Sequence, residues 1–163
     1  MSGTARVGGY VLAGGASSRF GTDKAFAEFQ GQTMLARTAK VLATAVPKVK
    51  IVSPTTKLDD ASYETIPDKW PNQGPLGGIL TAILDAKKEA GEQSWALVLS
   101  CDMPFLSTDW LRFLAERASE SGAETVVPKS ANGWEPLCAC WLASTAEIVL
   151  PEPSPRVLPS QTA

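Results

Sequence analysis

Apolar residues fall into short continuous runs separated by amphipathic stretches, and the two patterns alternate along the chain. Val7–Ala13 is an apolar run bounded by glycines and reads as a buried strand. Ala25–Phe29 is expected to be briefly extended, ending at the turn residue Gly31. Thr33 can cap a helix in which Met34, Leu35, Thr38, Val41 and Leu42 recur at helical spacing. Pro47 ends that pattern. Val49–Val52 then predicts a second strand, and Tyr63–Ile66 a weaker third. Leu76, Ile79, Leu80, Ile83 and Leu84 form the cleanest helical stripe, with Lys87, Lys88 and Gly91 as stop signals. Trp95–Leu99 predicts a strand apolar on both faces. Ser107 or Thr108 with Asp109 opens a further helix along Trp110, Leu111, Leu114 and Ala118. Thr125–Lys129 and Leu137–Leu142 predict two last strands with a turn at Asn132-Gly133 between them.

Strands alternating with helices imply crossover units, hence an α/β fold with a mostly parallel sheet covered on both faces. The late Asn-Gly turn adds an antiparallel element, so the sheet is expected to be mixed. A chain of 163 residues suits a single domain, taken here as residues 1–150, followed by a proline-rich C-terminal tail over 151–163. In such sheets ligands bind outside the carboxyl ends of the strands. The loops that matter therefore begin at Gly14, Ser53, Pro67 and Ser100.

Composition narrows the chemistry. A net charge of −2 argues against a broad nucleic-acid surface, which needs cations to replace counterions. No apolar run approaches the roughly 18 residues of a membrane span, and Met1–Arg6 is too polar to open a signal peptide. The chain has no histidine, which removes Ser-His-Asp and Cys-His engines and His-ligated zinc. Catalysis must then use carboxylates, cations, backbone amides or an oxygen-held metal. Cys101, Cys138 and Cys140 are an odd set and read as buried thiols rather than disulfides or zinc ligands. That usage fits a cytoplasmic protein. Self-association into a homo-oligomer stays open.

The loop after the first strand runs Leu12-Ala-Gly-Gly-Ala-Ser-Ser-Arg-Phe-Gly-Thr-Asp-Lys24. Its glycines let backbone N–H groups approach a phosphate, and Arg19 and Lys24 add charge-assisted donors. Spacing excludes a Walker A loop and the Gly-x-Gly-x-x-Gly dinucleotide fingerprint. The other physical reading is an ordinary glycine-rich turn with two solvated cations. After Trp95–Leu99 comes Ser100-Cys-Asp-Met-Pro104. A lone aspartate at a strand's carboxyl end suits Mg²⁺, which takes one or two protein carboxylates and completes its shell with water and phosphate oxygens. A turn or capping aspartate is the alternative. Gly77 and Gly78, tolerated inside a helix despite costing about 1 kcal/mol each, imply a close neighbour, either the sheet or a ligand. Glu135 reads as a solvated carboxylate, or as one facing an acceptor, and most of the five tryptophans are expected in the core.

The loop string resembles the signature of nucleotidyltransferases with a Rossmann-like, glycosyltransferase-A-type fold. Gly15 and the Asp23-Lys24 pair are most similar to the molybdenum cofactor guanylyltransferases. The related cytidylyltransferases more often carry Ala-Ala-Gly and Pro-Lys there. Pro67-Asp68, Gly74-Pro75-Leu76-Gly77-Gly78, Ser100–Pro104 and Trp134-Glu-Pro-Leu137 resemble later segments of the same family in the same order. The resemblance implies transfer of GMP from GTP to the terminal phosphate of a molybdopterin-type molybdenum cofactor, with release of pyrophosphate and dependence on Mg²⁺. It implies Arg19, Lys24 and Asp102 as catalytic residues and Asp102 as metal ligand. It places Leu12, Ala13, Gly14, Gly15, Lys24, Ser53, Asp68 and Asp102 at the nucleotide, Asp68 on its base or sugar. Ser53 stands where the family often has asparagine. The resemblance covers roughly Tyr10–Trp141; the family's later Asn-x-Asn-Thr-Pro-Glu-like segment has no counterpart, so the chain reads as cut short. A cytidylyl- or sugar-phosphate nucleotidylyltransferase, or a truncated non-catalytic nucleotide-binding module, are the alternatives.

Overall fold

The computed structural model describes residues 6–13, 28–54, 62–103 and 105–149. The glycine-rich loop through Lys24 and the tail over 151–163 lie outside the described residues. The main sheet holds β1 (Val7–Leu12), β4 (Val49–Ser53), β5 (Glu64–Pro67), β6 (Trp95–Ser100), β7 (Thr125–Val126) and β10 (Cys138–Leu142). Their order is β5-β4-β1-β6-β10-β7. The first four are parallel, and β10 runs antiparallel to both β6 and β7. The mixed, mostly parallel sheet is the one the alternating pattern predicts.

Helix α1 (Met34–Ala45) starts where Thr33 caps it, its Oγ1 accepting from Ala36 N at 3.1 Å. It packs with α3 (Thr108–Glu120), capped by Ser107, on one face of the sheet; α2 (Pro75–Ala90) and the short α4 (Ala146–Val149) cover the other. The two cores follow the strand alternation. Trp95, Leu97 and Leu99 of β6 join the α1/α3 core, while Ala96 and Val98 join the α2 core. Every residue of β6 up to Leu99 is thus buried on one side or the other, and each large side chain contributes about 1.5–3 kcal/mol. The spacing of Cys138 and Cys140 puts both on the α1/α3 face. All three cysteines are buried and none is in a disulfide, and burial pushes the Cys140 thiol up to about 12. It stays protonated at neutral pH and packs as a small hydrophobe.

The structure corrects three expectations. Thr125–Lys129 is not one strand: β7 ends at Val126, because Pro128 has no N–H to continue a ladder. The expected turn falls on Ala131-Asn132, with Gly133 already in strand, and closes a separate two-stranded hairpin, β8 (Lys129–Ser130) with β9 (Gly133–Trp134), rather than joining strands of the main sheet. Nor are most tryptophans core. Trp95 is buried, Trp70 and Trp141 are half-buried, and Trp110 and Trp134 are exposed, the last under the Lys129 ammonium at 5.5 Å. Leu76, first of the helical stripe, is half exposed. Of the expected extended segment Ala25–Phe29, residues 25–27 lie outside the described residues, and β2 (Glu28–Phe29) pairs with β3 (Gln32–Thr33) as a second hairpin. Among the described residues no helix is long and apolar enough to cross a membrane.

Both glycines at the start of α2 have packing neighbours. A Cβ on Gly78 would lie 3.0 Å from Cδ2 of Leu12, a side-chain tip that can shift. A Cβ on Gly77 would lie 2.3 Å from the carbonyl oxygen of Trp70, which cannot move without rebuilding the 68–73 turn. Gly78→Ala is therefore expected to be near neutral, because roughly 1 kcal/mol of helix propensity offsets the contact. Gly77→Ala is expected to destabilise by about 2 kcal/mol as an overpacking substitution. Urea unfolding of the two variants checks the contrast.

Candidate active site

Five of the expected site residues stand at the carboxyl ends of adjacent parallel strands. Leu12 and Ala13 end β1, Ser53 ends β4, Asp68 follows β5 and Asp102 follows β6. The order in the sheet reverses at β1: β4 lies on one side and β6 on the other. That reversal opens a crevice at the strand ends, where ligands of open α/β sheets bind. Gly14, Gly15, Arg19 and Lys24 belong to the loop leaving β1 and lie outside the described residues.

The described residues are tied together through backbone. Ala13 N donates to the Val52 carbonyl and Asp68 N to the Ser53 carbonyl, each at 2.8 Å. Leu12 and Ala13 are buried, and the Leu12 side chain packs against Gly78, so both can offer a ligand only main-chain groups. Ser53 is buried as well. Asp68 is half-buried and organises the turn into α2. Its Oδ1 accepts from Trp70 N at 2.8 Å and lies 3.3 Å from Thr81 Oγ1. Thr81, buried, donates to the Gly77 carbonyl and accepts from Lys69 N. One carboxylate oxygen of Asp68 is thereby committed to structure.

Asp102 is different. Its neighbour Cys101 turns into the core, and the Cys101 carbonyl accepts from the buried Thr38 hydroxyl of α1 at 3.1 Å. That bond pins the loop to a helix. Asp102 itself is exposed, and its Oδ1 accepts from Ser100 Oγ. It does not cap α3, which Ser107 does. Among the described residues no three Cys, Asp or Glu side chains gather into a metal cage. A divalent cation here would rest on a single hard carboxylate, with phosphate oxygens and water supplying the rest. The Asp102 donor fits Mg²⁺ on those terms.

A groove of about 420 Å³ opens beside Asp102. Met103, Phe105, Leu106 and Trp110 line it together with Lys129 and Ser130 of the β8–β9 hairpin and Glu135 just after it. Sequence reasoning did not assemble this groove. Glu135, weighed between solvent and an acceptor, is half-buried and held: Ser130 Oγ donates to its Oε1 at 2.6 Å. The one available signal was its place just before the late strand. A larger cavity, about 750 Å³, lies at the opposite pole, among Ala45, Val46, Lys48, Ala90, Trp95 and Glu120. It sits at the amino ends of the strands, and none of Leu12, Ala13, Ser53, Asp68 and Asp102 lines it.

Fold and strand-end residues together define an α/β protein with a ligand crevice at the switch point of its sheet. Residues 9–151 match the model of the MobA-like NTP transferase domain, and the chain belongs to that family. A relative from Flavobacterium johnsoniae, named probable molybdenum cofactor guanylyltransferase, is 32% identical over 117 residues, 72% of this chain and 59% of that protein. The chain spans about 60% of the length of the curated relatives it matches first. Molybdopterin-guanine dinucleotide biosynthesis protein A from Archaeoglobus fulgidus has the same fold, with a TM-score of 0.69 at 24% identity over 86% of this chain and 70% of that one. So does Rv0371c from Mycobacterium tuberculosis in its complex with manganese, with a TM-score of 0.61 at 15% identity over 90% and 76%. The family resemblance read from the loop, Asp68 and the Ser100–Pro104 segment is borne out.

Proposed function

We propose that this chain binds GTP across the carboxyl ends of β5, β4, β1 and β6. It transfers GMP to the terminal phosphate of a molybdopterin-type molybdenum cofactor. The observation that carries this reading is the row of Leu12-Ala13, Ser53, Asp68 and Asp102 along four adjacent strand ends, in a chain of the MobA-like family. The nucleotide lies over β1, β4 and β5. Main-chain groups of Leu12 and Ala13 face its phosphates, a role also assigned to Gly14 and Gly15, which lie outside the described residues, while Ser53 and the second carboxylate oxygen of Asp68 face its base and sugar. Arg19 and Lys24, from the loop after β1, neutralise the phosphates.

In the reaction an oxygen of the acceptor phosphate attacks the α-phosphorus in line. The new bond forms as the bond from that phosphorus to the bridging oxygen breaks, and pyrophosphate leaves. The nucleophile is already ionised, so no general base is needed, and a chain without histidine can run the step. Positioning and charge neutralisation do the work. Mg²⁺ bound at Asp102 supplies additional positive charge at the triphosphate. Asp102 follows β6, beside β1, with Leu12 in register with Ser100, which supports a metal-bearing carboxylate next to the strand end from which residues 14–24 depart.

Ligand-dependent melting tests the nucleotide. GTP with Mg²⁺ at about a hundred times its dissociation constant is expected to add about 2.7 kcal/mol, or roughly 5–10 °C in a chain of this size. Stabilisation by CTP alone would overturn the guanine assignment. Pyrophosphate release from GTP, Mg²⁺ and the molybdopterin acceptor tests the transfer, and its absence in a chain that still binds GTP would leave a nucleotide-binding module.

A further inference from the structure

The groove beside Asp102 has an aromatic wall and a fixed acceptor pair, and no step of the transfer uses either. Glu135 is anchored three ways. Its N–H donates to the Pro128 carbonyl at 2.9 Å, its carbonyl accepts from Cys138 N at 3.1 Å, and Ser130 orients its carboxylate. The carboxylate therefore presents two in-plane acceptors from a rigid turn. Their complement is a flat ring edge carrying two adjacent N–H donors. The same groove is lined by Trp110, stacked on Phe113 with ring centroids 5.6 Å apart, and by the exposed Phe105. Aromatic side chains and a fixed carboxylate lining one cavity of small-ligand size suit a planar heteroaromatic ring rather than a flexible chain.

We propose that Glu135 is the specificity-determining residue of an acceptor subsite and binds a 2-amino-4-oxopyrimidine edge, the N–H pair that pterins and guanine share. Position selects the pterin. Ser53 and Asp68, assigned to the guanine nucleotide, lie on the β4/β5 half of the sheet, whereas the groove lies toward β10. Asp102 stands between the two. A pterin in the groove would direct its phosphate toward that carboxylate and the α-phosphorus beyond it. Lys129 lines the same groove as a cation for an anionic acceptor. The inference rests on the transferase reading for the direction of the phosphate, though not for the ring edge that Glu135 recognises.

The test is calorimetric titration of the full chain with 6-hydroxymethylpterin, which has no phosphate, and separately with GTP and Mg²⁺. Glu135→Ala and Glu135→Gln are each expected to bind the pterin about ten- to hundredfold more weakly, as for loss of a hydrogen bond to a charged group. Glutamine keeps the shape but turns one acceptor into a donor. Ser130→Ala, which removes the orienting bond together with the turn bond that Ser130 Oγ accepts from Asn132 N, is expected to cost about three- to tenfold. GTP affinity is expected to stay within about twofold in all three. Equal pterin affinity in the wild type and Glu135→Ala would overturn the subsite, and so would no pterin binding to the wild type. Weakened GTP binding with pterin binding unchanged would also overturn it, assigning Glu135 to the guanine. Pterin binding that depends on Glu135, in a chain that neither binds GTP nor releases pyrophosphate, would overturn the transferase reading and leave the subsite standing.

Discussion

Asp102→Ala is expected to lower pyrophosphate release from GTP by about a hundredfold or more while the melting temperature shifts by no more than about 2 °C. The two halves of that result have separate causes. Asp102 is exposed, and its side chain accepts a hydrogen bond from Ser100, two residues away. Surface substitutions of this kind stay within about 0.5 kcal/mol. The loop keeps its anchor, since Thr38 holds the Cys101 carbonyl and not the Asp102 side chain. The rate, by contrast, depends on the charge. Removing one preorganised electrostatic group from a reacting phosphate costs about 10²–10³. Asp102→Asn separates charge from hydrogen bonding: it retains an acceptor for Ser100 and is expected to lose nearly as much activity as alanine. Lys24→Ala is expected to show the same split between rate and stability. Wild-type rates in Asp102→Ala would remove Asp102 from the site. Pyrophosphate release and thermal melting on the same preparations decide it.

The parts of the fold legible in the sequence are those set by local pattern. Thr33 caps α1 and Ser107 caps α3, because a hydroxyl before an amphipathic run satisfies N–H groups wherever the helix later packs. Leu97 and Val98 stand in a run with no alternation, which only a sheet covered on both faces explains. What escaped depended on partners far along the chain. Trp110 fits a helical stripe as well as Leu111 does, yet Leu111 meets the sheet while Trp110 opens onto the groove. The hairpin Lys129–Trp134 departed from a plain strand because Pro128 cannot donate, a local fact whose consequence depends on where β10 runs. At the site, the strand-end residues were legible because sheet topology alone places them. The groove was not, since it joins Asp102 of the β6–α3 loop, Trp110 of the first turn of α3 and Glu135 of the β9–β10 connection.

Lys50 was equally hidden, lying between Val49 and Ile51 in a run that reads simply as strand, and it carries the second large expected effect. Its side chain is 3% exposed. Its Nζ lies 2.9 Å from Asp85 Oδ2, 3.2 Å from Glu89 Oε1 and 3.5 Å from Glu64 Oε1. The buried Tyr10 hydroxyl donates to the same Asp85 oxygen at 2.9 Å. Burial alone would lower the lysine pKa, but the hydrogen bonds to Asp85 and Glu89 outweigh it and hold the ammonium above its ordinary value. Burial, then Asp85, pushes the Tyr10 phenol up as well. Asp85→Ala removes the partner both groups share and is expected to destabilise by about 3 kcal/mol, or roughly 6–12 °C. That is the low end for a broken buried pair, because Glu89 is 39% exposed and still reaches Lys50. Lys50→Met in the Asp85→Ala background is expected to recover part of the loss, since it replaces a poorly compensated buried charge with an apolar side chain of similar length. The pH dependence has a fixed sign. Both folded-state pKa values are raised, so the stabilisation is fully present below the unfolded values of about 10 for tyrosine and 10.5 for lysine. It is lost as pH rises through the folded ones. The gap in unfolding free energy between wild type and Asp85→Ala is therefore expected to stay level from about pH 7 to 9 and to narrow above about pH 10. Urea titrations across that range measure it, and a gap that widened in alkali would show that the buried ammonium is not what Asp85 stabilises.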